Sequence, residues 1–194
     1  MKIYILLLAL FTLTSCVQDI DFYSYALEIY KMHNKYRSLH GFLNTNYSDE
    51  IAEIALKHAT NMAEETRFFF SNSSYKGKIL GENFFFCNSF DGESCLPGYD
   101  VTYFWYKQYY DYCMSSGTFP DNARNFITMM WRDTTLMGCG IVYKRLWDCM
   151  DAYFLACEYY PGPHPDLGDT PEEIKRNMQD RVGEDDNEKN PNPC

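Results

Sequence analysis

Cys139 and Cys157 close a span that reads as a β-hairpin, and no other feature of the chain limits the fold as tightly. Gly140 to Tyr143 and Tyr153 to Cys157 are short β-prone runs. Two strands joined through a hairpin bring facing α-carbons to the roughly 6 Å that a disulfide needs, so the pair predicts a staple between neighbouring strands. A third β-prone run, Leu80 to Phe86, extends this to a small antiparallel sheet.

Helices account for much of the rest. From Asp21 to Leu39, Phe22, Ala26, Ile29, Met32 or His33, and Tyr36 recur at helical spacing, with Glu28, Lys31 and Lys35 off that face. Ser48 caps a second helix, with Glu50 in its first turn and Ile51, Ile54, Ala55, His58, Ala59 and Met62 in register up to Arg67. His58 lies beside that stripe and reads as a partly buried helix histidine with one hydrogen-bond partner. Asp100 opens a third helix, Val101 to about Tyr112, aromatic on several sides and hence buried on several sides. Its tyrosine hydroxyls also need partners, which takes some of them to a rim or groove. Ser115 to Asn122 reads as loop and Phe126 to Trp131 as a short helix. Beyond Pro161 the composition turns to Pro, Gly and acid. Within it, Thr170-Pro171-Glu172-Glu173 is a helix cap, and Ile174, Met178 and Val182 mark a narrow apolar stripe that docks back. Gly183 to Asn192 has almost nothing apolar to bury and is expected to be disordered. The class is α+β, in one domain.

Residues 1–16 have the layout of a signal peptide: Lys2, an apolar stretch to Phe11, then Thr14, Ser15 and Cys16. The Leu-Thr-Ser before Cys16 is a poor version of a lipoprotein signal. The stretch falls short of the about 20 apolar residues a spanning helix needs, and no later segment offers such a run. The mature protein is therefore expected to be secreted, extracellular and without a membrane span. A formal charge of −10, more acidic still once Lys2 is removed, argues against nucleic acid and against anionic lipid headgroups as partners. In that compartment disulfides are the default, and discarding Cys16 leaves an odd number of cysteines. Two sequons, Asn46-Tyr47-Ser48 and Asn72-Ser73-Ser74, fit glycosylation.

Four strings, in order, carry a family likeness: His33-Asn34-Lys35-Tyr36-Arg37; Gly81-Glu82-Asn83; Asn125-Phe126-Ile127-Thr128-Met129-Met130-Trp131; and Cys157-Glu158-Tyr159-Tyr160-Pro161. Together the chain resembles the CAP superfamily, which takes in cysteine-rich secretory proteins, insect antigen 5, plant pathogenesis-related protein 1 and the venom-allergen-like proteins of parasitic worms, the last being the forms it most resembles. The likeness covers about residues 20 to 161. It implies an α-β-α sandwich with a small antiparallel sheet between helices, a CAP domain over residues 17–161, and an acidic Pro-rich tail over 162–194. Glu158 and Pro163 depart from the Asn and Gly-Asn that the family pattern places around the final signature.

In CAP proteins a cavity carries two histidines and two acids. The matching positions here are Phe70, Glu82, Gln108 and Asn125, so the cavity is degenerate, with one acid retained. Zinc-type sites need imidazole or thiolate donors converging with a carboxylate. Phenylalanine offers none, neutral amides bind weakly, and no His-Glu-x-x-His or similarly spaced cluster replaces them. No metal, no cofactor and no catalysis is expected, and Glu82 is expected to accept hydrogen bonds from nearby backbone or from Asn125. For His33 the resemblance implies a packing role, with Arg37 tied to a carboxylate in the core.

The family likeness also makes Cys87 the partner of Cys149, with Cys95 and Cys113 then bridging across the third helix and Cys194 left over. It implies a lipid or sterol ligand, or an extracellular host protein as partner. Tyr109, Tyr110, Tyr112 and Phe119 gather around the loop after the third helix, where similar proteins carry a sterol-linked aromatic loop, and Phe104, Tyr109 and Tyr112 fit one spacing of a caveolin-binding motif. A second candidate lies between Phe22, Tyr25 and Ile29 and the Phe126 to Met130 segment, where the family can form a fatty-acid channel and where the flexible Met129 and Met130 suit an adaptable wall. Core packing is the competing reading of both sets. A protein-binding effector acting through the acidic tail, with no lipid, is the alternative function, and a metal-dependent or hydrolytic enzyme the disfavoured one.

Overall fold

The computed structural model of the chain describes residues 21–90, 95, 100–147, 150–164 and 169–182. The leader over residues 1–16, Cys149, Cys194 and the acid-rich stretch over 183–192 lie outside them. Two long helices begin where side chains can cap them. Asp21 accepts the Ser24 N–H at the start of α1 (Phe22–Leu39), and Ser48 accepts the Ile51 N–H at the start of α2 (Asp49–Glu65). Asp100 does the same for α3 (Val101–Tyr106), but this helix is shorter than its aromatic pattern suggests, because Lys107–Asp111 winds on as a 3-10 turn. The tighter winding sets Gln108 against α4 (Arg124–Met130).

Four strands, β1 (Asn46–Tyr47), β4 (Gly81–Phe90), β5 (Leu136–Trp147) and β6 (Met150–Tyr160), form a sheet in the order β1-β5-β6-β4. β5, β6 and β4 are antiparallel, while β1 runs parallel to β5, so the sheet is mixed and not purely antiparallel. β2 (Ser74–Tyr75) and β3 (Lys78–Ile79) make a separate two-stranded ladder.

The side-chain alternation of β6 builds the sandwich. Tyr153, Leu155, Cys157 and Tyr159 join α1, α3 and α4 in the larger core, whereas Ala152, Phe154 and Ala156 pack under α2. On β5, Gly138 and Gly140 let the α2 backbone lie directly on the strand: a Cβ on Gly138 would meet the Ala52 nitrogen at 2.3 Å. The segment after Pro161 is more than a tail. α5 (Pro171–Asn177) starts in a full capping box made by Thr170 and Glu173, and Ile174 and Met178 join the larger core.

Cys139 and Cys157 stand opposite each other in the β5–β6 ladder and are bonded. The other pairings differ from those the family likeness implied. Cys87 bonds to Cys95, with α-carbons 6.1 Å apart, and neither to Cys149 nor by way of a Cys95–Cys113 bridge. Closing a ring over a sequence separation of 8 costs less chain entropy than reaching Cys149. Cys113 is also disulfide-bonded.

Candidate functional site

Of the four family cavity positions, only Glu82 carries a charge, and the structure commits the Gln108 side-chain oxygen and the Asn125 main chain elsewhere. The Gln108 side-chain oxygen accepts the N–H groups of Asn125, at 3.0 Å, and Phe126, capping the start of α4. The Asn125 carbonyl accepts from the Asn83 side chain. Phe70 is half in solvent and offers no donor atom. These four do not fit a metal ion, on donor chemistry alone.

Glu82 lies at the start of β4 and forms part of the wall of a cavity of about 320 Å³. Its carboxylate accepts the Ser71 N–H at 2.7 Å, the Ser71 hydroxyl at 2.5 Å and the Ser73 N–H at 3.3 Å. Asn125 is not among these partners. Where the family pattern has imidazoles, this cavity has Arg124, whose guanidinium lies 5.1 Å from the Phe70 ring and 5.2 Å from the Phe119 ring. His164, read from sequence as part of the Pro-rich tail, lines the same cavity.

Behind Glu82 is a cluster that no sequence spacing reveals. His58 projects from α2 onto the sheet and meets Glu158, which stands on the α2-facing side of β6. His58 Nε2 is 2.7 Å from the Phe69 carbonyl, which can only accept, so this nitrogen carries a hydrogen. Nδ1 then faces Glu158 Oε1 at 3.0 Å and Glu82 Oε2 at 4.0 Å. His58 and Glu158 are fully buried, and the second Glu158 oxygen has no hydrogen-bond partner among the described residues. Burial pushes the Glu158 carboxyl up to about 8, opposed by the hydrogen bond with His58. Burial works to lower His58, but the hydrogen bonds to Glu158 and Phe69 and the two nearby carboxylates hold it above its ordinary value.

The other buried histidines are sealed off. His33 donates from Nδ1 to the Ile29 carbonyl at 2.8 Å and accepts the Tyr159 hydroxyl at 2.7 Å, and burial pushes it down to about 4. His40 donates to the Gln179 carbonyl, accepts from Tyr106, and is likewise pushed down to about 4 by burial. Arg37 corrects an expectation. Among the described residues it meets no carboxylate; its guanidinium donates to the carbonyls of Leu43, Met129, Trp131, Arg132 and Thr134, at 2.7 to 3.3 Å.

The aromatic-loop candidates divide. Tyr109 and Tyr112 are core, their hydroxyls bonded to Asp180 and to the Thr118 carbonyl, so neither ring is free to meet a sterol. Tyr110 and Phe119 are half-buried against that core. Ile29, Met129 and Met130 are likewise core, packed and not lining a channel. Phe22, of that second set, borders an open groove. The groove, about 290 Å³, runs between α1 and α2 over Gly140 and Ile141; Tyr23, Ala26, Tyr47, Ala52 and Leu56 add to its apolar lining, and the acids Asp49 and Glu53 also border it. Both sequon asparagines, Asn46 and Asn72, are exposed.

The family model of the CAP cysteine-rich secretory protein family matches residues 30–159, and the chain belongs to that family. A relative from Candida albicans, Repressed by EFG1 protein 1, is 29% identical over 145 residues, which are 74% of this chain and 47% of that protein. The chain thus spans about half the length of that curated relative. Among solved structures, Schistosoma mansoni venom allergen-like protein 4 matches with a TM-score of 0.51 at 18% identity, over 76% of this chain and 92% of its own. MpPR-1i matches with a TM-score of 0.52 at 17% identity, over 78% and 99%. At such identities the likeness establishes the α-β-α fold.

Proposed function

We propose that this chain is a secreted, non-catalytic binding protein that holds a lipid or sterol-like apolar molecule in the groove between α1 and α2. The groove itself carries the reading. Its floor is Gly140 and Ile141, its walls are Phe22, Ala26 and Ala52, and its rim exposes Tyr23 and Leu56, large apolar side chains 57% and 45% accessible to solvent. Apolar surface gathered in a concavity is the usual form of a small-molecule site. Hydrolysis is disfavoured by the surroundings of its candidate groups: His33, His40 and His58 have both ring nitrogens engaged, and the Ser71 hydroxyl donates to Glu82 and accepts from Ser73, while His164, which lines the same cavity, is not among its hydrogen-bond partners. The disulfides support the extracellular setting.

Extraction of the purified protein followed by lipid mass spectrometry, with uptake of a fluorescent fatty acid or sterol as a second measure, tests the reading. Leu56→Glu places a charge in the groove from an exposed helix position and is expected to weaken uptake at least tenfold, with the melting temperature little changed. Wild-type protein with neither co-purifying lipid nor saturable uptake would reject the proposal. Removal of residues 163–194 is a poor way to isolate a tail-dependent partner, because it strips Ile174 and Met178 from the core.

A further inference from the structure

We propose that His58, Glu82 and Glu158 form a buried site for one divalent transition-metal ion, zinc being the natural probe. The ligating atoms of these three residues all lie within 4.8 Å of one another. The set shares only Glu82 with the four family cavity positions; His58 comes from the middle of α2 and Glu158 from β6.

The argument is one of converging acceptors. Because Nε2 spends its hydrogen on the Phe69 carbonyl, the neutral ring directs a lone pair from Nδ1 at two carboxylates. An imidazole lone pair and two carboxylates facing one another repel unless a proton or a metal ion stands among them. A proton satisfies the Nδ1–Glu158 contact at 3.0 Å, yet it leaves Nδ1 and Glu82 at 4.0 Å unbridged and the second Glu158 oxygen without any partner. Four buried side-chain atoms among the described residues lack a partner, and this is the one that belongs to a carboxylate, the group whose unpaired burial costs most and which a cation would satisfy.

The surroundings have the form of a ligand shell. The Phe69 carbonyl fixes the tautomer that exposes Nδ1, and Ser71 and Ser73 orient the Glu82 carboxylate through three hydrogen bonds. One nitrogen and two carboxylates suit zinc-like ions and not calcium, which takes six to eight oxygens. Glu82 borders the cavity of about 320 Å³, which gives an ion a way in. This site is separate from the apolar groove, and neither needs the other.

The test uses tag-free protein, stripped with a chelator and titrated with zinc at neutral pH, with elemental analysis for stoichiometry. One zinc per chain is expected, weakened more than tenfold in Glu158→Gln, which keeps the shape and can still hydrogen-bond to His58, and unaltered in Asn125→Ala. Zinc-edge absorption on wild-type protein should give a single imidazole with oxygen donors and no sulfur. That spectrum decides the matter even if Glu158→Gln misfolds. Substoichiometric zinc in the wild type, undiminished binding by a folded Glu158→Gln, or a spectrum with two imidazoles or sulfur would overturn the site and leave a proton-sharing pair.

Discussion

A Cβ placed on Gly140 would lie 2.2 Å from the main-chain nitrogen of Leu56, closer than any two such atoms can come. The α2 backbone therefore rests on β5 with no room for a side chain between them, and the groove beside Leu56 exists because the helix sits so low. Gly140→Ala has to push α2 off the sheet. It is expected to lower stability by about 3 kcal/mol or more, read from urea unfolding, and to reshape the groove enough to abolish lipid uptake. A stability loss under about 1 kcal/mol would mean that α2 packs less closely than described.

His33 and His40 predict acid sensitivity. Both are buried neutral, pushed down to about 4 in the fold, against an ordinary value near 6.5 in the unfolded chain. Between those values the unfolded chain binds more protons, so stability is complete above about pH 6.5 and falls as pH drops towards 4. The combined loss is several kcal/mol, on the order of 3 kcal/mol per histidine at the acid end. Replacing His33 with Gln should flatten this slope in denaturation curves taken across pH 4 to 7, at some cost in absolute stability.

Arg37 is irreplaceable by lysine. Its fork reaches five carbonyls, whereas an ammonium offers three hydrogens from one point. Arg37→Lys is expected to cost about 2–4 kcal/mol and Arg37→Met more, because buried carbonyls lose their donors. Thermal melts of the two variants check the order.

Peptide mapping without reduction should yield a linked Cys87–Cys95 fragment. Replacing both cysteines with serine removes a short ring worth about 2–3 kcal/mol. A Cys87–Cys149 fragment in that map would restore the pairing the family likeness implied.

Much of the frame was legible in the sequence because it is periodic or local. The stripes of α1 and α2, the helix starts at Ser48, Asp100 and Thr170, and the Cys139–Cys157 staple each declare themselves within a few residues. β1 was illegible, being two residues held by parallel pairing with distant Leu136 and Met137. The candidate site was half visible. Helical spacing puts His58 beside the buried stripe of α2, and Glu158 is an acid in an otherwise mostly apolar strand, departing from the family pattern. That they meet depends on how α2 is registered on β6, across 100 residues of chain, and no local pattern encodes that.

The carbonyl cradle of Arg37 has a consequence for how this chain tolerates change. Each hydrogen bond of the guanidinium goes to main chain, with the Phe42 ring 5.6 Å away as its side-chain neighbour, so an exchange of side chain at Leu43, Met129, Trp131, Arg132 or Thr134 leaves the acceptor carbonyl itself in place. The acceptor side of this joint is thus carried by groups every residue type has, while Met129 and Trp131 stay constrained by the core they fill, and the donor side rests on the codon of one.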